Sequence, residues 1–197
     1  MARPILTVIA GCNGAGKSSF SKAFTPSNTT SFDYDKIYLS FYNSLVDSEL
    51  KDRICHNKAR QQLEHEVTKA LNQERNFTYE TNFNTTPLFW PKKFKEKGFK
   101  LRLFYLCLNS IDEAKRRVQI RVENGGHHVP SWEIETRYID GFKHLNAHWH
   151  FFDEVFLFDS STYKKTPSFI LSILDHNIEI EKTPPEYLKK LLPSILT

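Results

Sequence analysis

Several things are missing from this chain of 197 residues, and each absence removes a class of protein. Its three cysteines, Cys12, Cys55 and Cys107, are an odd number, lie far apart and include no CxxC pair. That excludes a disulfide framework and fits reduced thiols in a cytoplasm. No apolar stretch approaches the roughly 20 residues of a bilayer span, and no signal peptide is visible, so neither a membrane nor a secretory route is expected. Neither charge sign dominates. A formal net charge of +4, scattered along the sequence, suits anionic small molecules but is too weak to indicate nucleic acid. Repeats, low-complexity segments and long linkers are also absent. With 40% hydrophobic and 14% aromatic residues, the chain has material for one good core, and residues 1–197 are expected to form one domain.

What is present begins with Gly11-Cys12-Asn13-Gly14-Ala15-Gly16-Lys17-Ser18, followed by Ser19. Gly, four residues, then Gly-Lys-Ser is the Walker A spacing. Residues 4–10 before it are short, apolar and partly β-branched, as a buried strand requires, and the residues after Lys17 can begin a helix. Glycines let the backbone curl around a phosphate without Cβ clashes, so amide groups and the helix N-terminus point at the anion. Lys17 then reaches the terminal phosphates of ATP, and the Ser18 hydroxyl ligates Mg²⁺. Cys12 sits among these amides, where a thiolate is favoured, so its oxidation is expected to block nucleotide binding.

Strand and helix patterns alternate, which predicts an α/β fold: a P-loop NTPase with a parallel sheet flanked by helices. Strands are expected at residues 29–33, 77–81, 100–106 and 154–158, and a hairpin over 168–182 turning at Asp175-His176-Asn177. Helices are expected from about Asp35, over about 49–73, from Pro87 to Gly98, along Ile111, Ala114, Val118 and Val122, and over 184–196.

A triphosphate site needs groups that position a second substrate, and ligands sit at the carboxyl ends of such sheets. Asp35 follows the second strand and Glu80 ends the third. Either carboxylate suits a base that takes an acceptor hydroxyl's proton or a group that holds Mg²⁺. Asp35 also suits a plain helix cap. Residues 116–142 have the form of a helical lid: Arg117 and Arg121 one turn apart, a Gly125-Gly126 turn, then a second helix bearing Arg137. Such arginines neutralise charge during phosphoryl transfer, although an exposed basic face has the same pattern. His127 and His128 suit either a phosphate contact or turn stabilisation, while His144, His148 and His150 read as exposed or packed on aromatics.

The segments GCNGAGKSS, FDYDKI, YETNF, RVENGGHHVP and IETRYIDGF together resemble, in order, the zeta-toxin family of P-loop kinases. The resemblance runs from residue 5 to about residue 161. It implies a nucleotide-kinase-like fold and transfer of the γ-phosphoryl group of ATP to a hydroxyl of a sugar nucleotide such as UDP-N-acetylglucosamine, or of a related metabolite. It also implies a protein antitoxin as a partner. By position it gives Lys17 and Ser18 to ATP and Mg²⁺, Asp35 to the base, Glu80 to the acceptor or metal, and Arg121 and Arg137 to the lid. Two positions depart from the pattern: Asp33, where small relatives carry Asn, and Asn82, where they carry Thr. The alternative function is a nucleotide-dependent switch or slow ATPase, which would expect its arginine from a partner. Replacing Lys17 by Ala should abolish ATP-dependent ADP formation while the thermal melt stays cooperative, because the lysine serves a loop and not a core.

Overall fold

Apolar strands alternating with amphipathic helices resolve, in a computed structural model, into a mixed α/β architecture. Residues 3–27, 29–126 and 128–196 are described; His127 lies outside them. The strands are β1 (Ile5–Ala10), β2 (Ser31–Phe32), β3 (Phe77–Thr81), β4 (Lys100–Cys107), β5 (Glu154–Asp159), β6 (Ser168–Leu174) and β7 (Asn177–Ile180). The helices are α1 (Lys17–Phe24), α2 (Tyr34–Ser44), α3 (Lys51–Asn72), α4 (Phe89–Glu96), α5 (Ile111–Glu123), α6 (Ser131–His148), α7 (Glu186–Leu191) and α8 (Pro193–Leu196). Among the described residues no helix is long and apolar enough to cross a membrane.

The sheet has seven strands in the order β2-β3-β1-β4-β5-β6-β7. The first five run parallel, and β6 and β7 return antiparallel. Parallel strands covered by helices on both faces need side chains that tolerate burial on either side. β1 meets that demand, with Leu6, Thr7, Val8, Ile9 and Ala10 all fully buried, and Leu101, Leu103, Tyr105 and Leu106 do the same in β4. Because β1 lies between β3 and β4, the loop leaving it opens where the strand order reverses, the place at which such sheets take ligands.

Several boundaries differ from the sequence pattern for local reasons. The expected closing helix over 184–196 is two short helices, since Pro193 has no N–H to continue the first and instead opens the second. β2 is only two residues long, because Asp33 leaves the strand to cap α2, its carboxylate accepting from the Lys36 amide at 3.1 Å. The β6–β7 hairpin turns on two residues, Asp175 (φ 47°) and His176 (φ 67°), the paired positive angles of a tight type I′ turn.

The helical hairpin α5–α6 spans the segment expected as a lid. Arg117, Val118, Ile134, Tyr138 and Phe142 are buried, so both helices enter the core, while Glu123, Asn124, Gly125, Ser131 and Trp132 are exposed. Gly141 on α6 packs tightly against the sheet: a Cβ there would lie 2.7 Å from the Tyr105 hydroxyl and 2.9 Å from the Asn82 carbonyl oxygen. Gly141→Ala should therefore lower unfolding free energy by about 1–3 kcal/mol, the range for overpacking. A urea melt with a lower midpoint and unchanged slope would show it.

Candidate active site

Lys17 is the first residue of α1, and its position follows from the glycines before it. Gly11 has φ 143°, and a Cβ there would lie 2.5 Å from the Leu106 carbonyl oxygen, so only glycine lets the loop pass this close to β4. α1 then starts with no side-chain cap and no acidic residue in its first turn, leaving its positive end open to an anion. α2 and α5, by contrast, are capped by Asp33 and Ser110. Asn13, Gly14, Ala15, Gly16, Lys17, Ser18 and Ser19 line a cavity of about 930 Å³ at the carboxyl ends of β1 and β3. Gly11 is buried beneath them.

The Lys17 ammonium is folded back on its own loop. It donates to the carbonyl oxygens of Gly11 (2.8 Å) and Cys12 (3.2 Å) and to Asn82 Oδ1 (2.9 Å). Burial pulls its pKa below the usual lysine range, opposed first by the nearby Asp35 charge. Asn82 was visible in the sequence only as a departure from the family pattern; in space it is a ligand of Lys17. The thiol expectation at Cys12 is overturned. Cys12 is 2% exposed, and burial outweighs the field of Lys17, raising its pKa to about 11, so the thiolate is disfavoured and the oxidation hypothesis loses its chemical basis.

Three oxygens converge beside the lysine. Ser18 Oγ lies 2.9 Å from Asp33 Oδ2 and 2.8 Å from Glu80 Oε2. One hydroxyl hydrogen cannot fill both contacts, so the group is completed by a proton on a carboxyl or by a cation. Burial, and then the charge of Asp33, hold Glu80 above the ordinary carboxylate range. Among the described residues no three His, Cys, Asp or Glu side chains gather as a metal site. An ion here would share its sphere between Ser18, one or two carboxylates and phosphate oxygens, and those hard donors suit Mg²⁺.

Asp35 occupies the first turn of α2 and lines the cavity. The capping role that competed for it belongs to Asp33, and among the described residues the Asp35 carboxylate makes no hydrogen bond or ion pair. Arg121 and Arg137 also line the cavity. Arg137 Nη1 donates to Asn13 Oδ1 at 3.1 Å and Nη2 pairs with Glu133, which ties α6 to the phosphate loop. Arg117 is a clamp. Its guanidinium donates to Glu113 (2.6 Å) and to the Gly14, Ser160 and Ser161 carbonyls at 3.3, 2.8 and 2.9 Å, joining the phosphate loop to the segment after β5. His128 is exposed, and His144 and His148 stack on each other with ring centroids 5.6 Å apart.

The far wall of the cavity is aromatic, which motif reading missed. Tyr34 and Tyr38, one turn apart on α2, face His56 on α3, with Tyr38 and His56 rings 4.4 Å apart. Their hydroxyls are anchored, Tyr34 to the His56 carbonyl (3.0 Å) and Tyr38 to Asp52 (2.5 Å). The i, i+4 tyrosines flanking Asp35 were the available signal. The segment after β3 adds Phe89 and Trp90 and carries two non-glycine residues with left-handed backbone, Phe83 (φ 59°) and Thr85 (φ 50°), a strain that packed surroundings must hold in place.

The zeta toxin family profile matches residues 1–173. No curated protein sequence matches the chain. Among solved structures, the AvrRxo1-ORF1:AvrRxo1-ORF2 complex with sulphate ions superposes with TM-score 0.67 at 12% identity, over 100% of this chain and 64% of that one. The same pair with ATP aligns equally well. The PezAT chromosomal toxin–antitoxin system of Streptococcus pneumoniae gives 0.58 at 18% identity, covering 99% and 79%. The Pnkp1/Rnl/Hen1 RNA repair complex gives 0.57 at 20%, covering 75% and 47%. At these identities the likeness is one of fold, and the chain spans less than two thirds of the AvrRxo1 and RNA-repair chains it matches.

The raised Glu80 carboxyl has a measurable consequence. The folded state binds this proton more tightly than the unfolded chain, so the stability it lends is full below the ordinary carboxylate pKa and is lost as pH rises through the raised value. Glu80→Gln should abolish that loss and raise the melting temperature of the ligand-free protein at neutral pH. Adding Mg²⁺ should stabilise the wild-type protein more than the variant. Melting curves across mildly acidic to neutral pH, with and without Mg²⁺, test both statements.

Proposed function

This chain belongs to the zeta toxin family, and from that premise and the groups around Lys17 we propose that it is an ATP-dependent phosphotransferase. It moves the γ-phosphoryl group to a hydroxyl of a small molecule, a sugar nucleotide such as UDP-N-acetylglucosamine or a related metabolite. The observation that carries the reading is the placement of Asp35. It is a carboxylate without a structural partner among the described residues, on the cavity side facing Lys17.

In this reading Lys17 exchanges the loop carbonyls and Asn82 for the β- and γ-phosphates, whose full negative charge attracts the ammonium more strongly than neutral carbonyl dipoles do. The loop amides and the open N-terminus of α1 hold the phosphate chain. The nucleobase lies by Arg117 and the segment after β5, where Tyr163 already sits under the Arg116 and Arg117 guanidiniums at 4.9 and 5.4 Å. Ser18, with Asp33 and Glu80, would hold Mg²⁺, which when bound neutralises phosphate charge. Asp35 accepts the proton as the acceptor O–H bond breaks and its oxygen bonds to the γ-phosphorus. The bond to the β,γ-bridging oxygen breaks in step, and ADP leaves with that electron pair. Arg121 and Arg137 meet the charge that spreads over the transferring oxygens. The PezAT likeness supports a protein antitoxin as a partner.

Asp35→Asn keeps size and removes the base. ATP affinity, measured by calorimetry, should stay near wild type while transfer falls roughly 10²–10⁴-fold, the usual contribution of general acid–base catalysis. A parallel loss of ATP affinity would make Asp35 a nucleotide- or metal-binding group instead.

A further inference from the structure

The segment that leaves β5 flanks the place proposed for the nucleobase, and most of it has little to hold it. Thr162, Lys164, Lys165 and Thr166 are exposed, and Lys164 has left-handed backbone (φ 57°), a conformation that the surroundings must hold in place. Its root is built differently. Ser160 is buried, with its hydroxyl donating to the Cys107 carbonyl at 3.0 Å, and the Ser160 and Ser161 carbonyls accept from Arg117. The Ser161 amide donates to Asp159 Oδ1 at 3.0 Å, the bond by which an aspartate turns the backbone two residues on, and the Ser161 hydroxyl donates to the same oxygen. A third donor to that oxygen comes from α7. The Tyr187 hydroxyl lies 2.8 Å from Asp159 Oδ1 and 3.4 Å from Ser161 Oγ.

α7 begins beyond residue 173, where the match to the zeta toxin profile ends, and among the described residues none of it lines the cavity. It is nevertheless firmly seated, because Leu188 and the Leu192 that follows it are fully buried and the Tyr187 ring packs on the core. A continuous chain of hydrogen bonds therefore runs from Tyr187 through Asp159, Ser161 and Arg117 to the Gly14 carbonyl of the phosphate loop. We infer that Tyr187 is a positioning residue for the nucleotide: through Asp159 it fixes the segment that meets the nucleobase before ATP arrives. This inference rests on the placement of the nucleobase in the phosphotransferase reading. A segment ordered in advance has no ordering cost to meet on binding, and the affinity of its ligand rises accordingly. Of the three donors to Asp159 Oδ1, two belong to Ser161 and move with the segment; Tyr187 alone ties that oxygen to α7. Without its hydroxyl the nucleobase end of the site loosens, whereas the amides and Lys17 that meet the phosphates keep their own supports.

The test is calorimetric titration, with Mg²⁺ present, of two probes into the full-length protein: ATP, and inorganic tripolyphosphate, which has the phosphates and no base. Tyr187→Phe keeps the buried ring and removes only the hydroxyl. It should raise the Kd for ATP about three- to tenfold, the worth of one hydrogen bond, and leave the Kd for tripolyphosphate unchanged. Asp159→Ala should weaken ATP in the same selective way, and adding Tyr187→Phe to it should cost nothing more, because the tyrosine acts through that carboxylate. Should Asp159→Ala fail to fold, the two probes on Tyr187→Phe decide alone. Equal weakening of both probes would make Tyr187 a general structural support and overturn the inference, as would unchanged ATP affinity. Tyr163→Ala tells the two possible failures apart. If it weakens ATP and Tyr187→Phe does not, only the inference falls; if neither variant weakens ATP, the nucleobase placement falls with it.

Discussion

A buried ammonium group organises this site. Taking Lys17 out of water costs free energy that only nearby negative charge or aligned dipoles can return, and each unit charge at about 4 Å returns ~4 kcal/mol at an effective dielectric constant of 20. The surrounding chain meets that demand in stages. Two carbonyls of the phosphate loop and Asn82 hold the nitrogen, and Asp35 and Glu80 supply charge at longer range. For the carbonyls to point inward the loop must pass against Leu106, which Gly11 permits. For the carboxylates to lie near, β3 must end beside β1 and α2 must start beside α1, which the parallel order β2-β3-β1 provides. The arrangement is compensated yet imperfect, since burial still depresses the Lys17 pKa.

The same electrostatics divides the cavity. Cations from the phosphate loop and the α5–α6 hairpin line it together with the carboxylates Asp33, Asp35 and Glu80; in the proposed reaction the cations would meet the nucleotide and Asp35 the acceptor. The proton that Asp35 would take, and the charge that Arg121 and Arg137 would meet, therefore develop on opposite sides of one phosphoryl group. Arg117 makes the cationic side one unit, because one guanidinium bonds the phosphate loop, α5 and the segment after β5 together.

Sequence reading reached as far as local physics reaches. The phosphate loop was legible because its function requires glycine at fixed steps, and β1 and β4 because burial on both faces leaves an unbroken apolar run. Glu80 stood out as a charge ending a buried strand. What pattern alone missed depends on chain segments distant in sequence. Asp33 and Asp35 both precede or open a helix, and only the turn geometry gives the cap to Asp33. Asn82 meets Lys17 across 65 positions, and Arg117 meets Ser160 across 43. Tyr138 and Phe142, inside the segment read as a lid, pack into the core through partners distant in sequence. Cys12 was misjudged because a loop that binds phosphate was assumed to be open, whereas its first turn is buried.

The central claim is that the γ-phosphoryl group goes to a carbon-bound hydroxyl and not to water. Phosphorus NMR of ATP incubated with the protein, Mg²⁺ and a metabolite extract tests this directly. The account predicts a new phosphomonoester resonance that grows in step with ADP and needs the extract. Inorganic phosphate appearing at the same rate with or without the extract, and no ester, would contradict it and make the protein a slow ATPase or nucleotide switch.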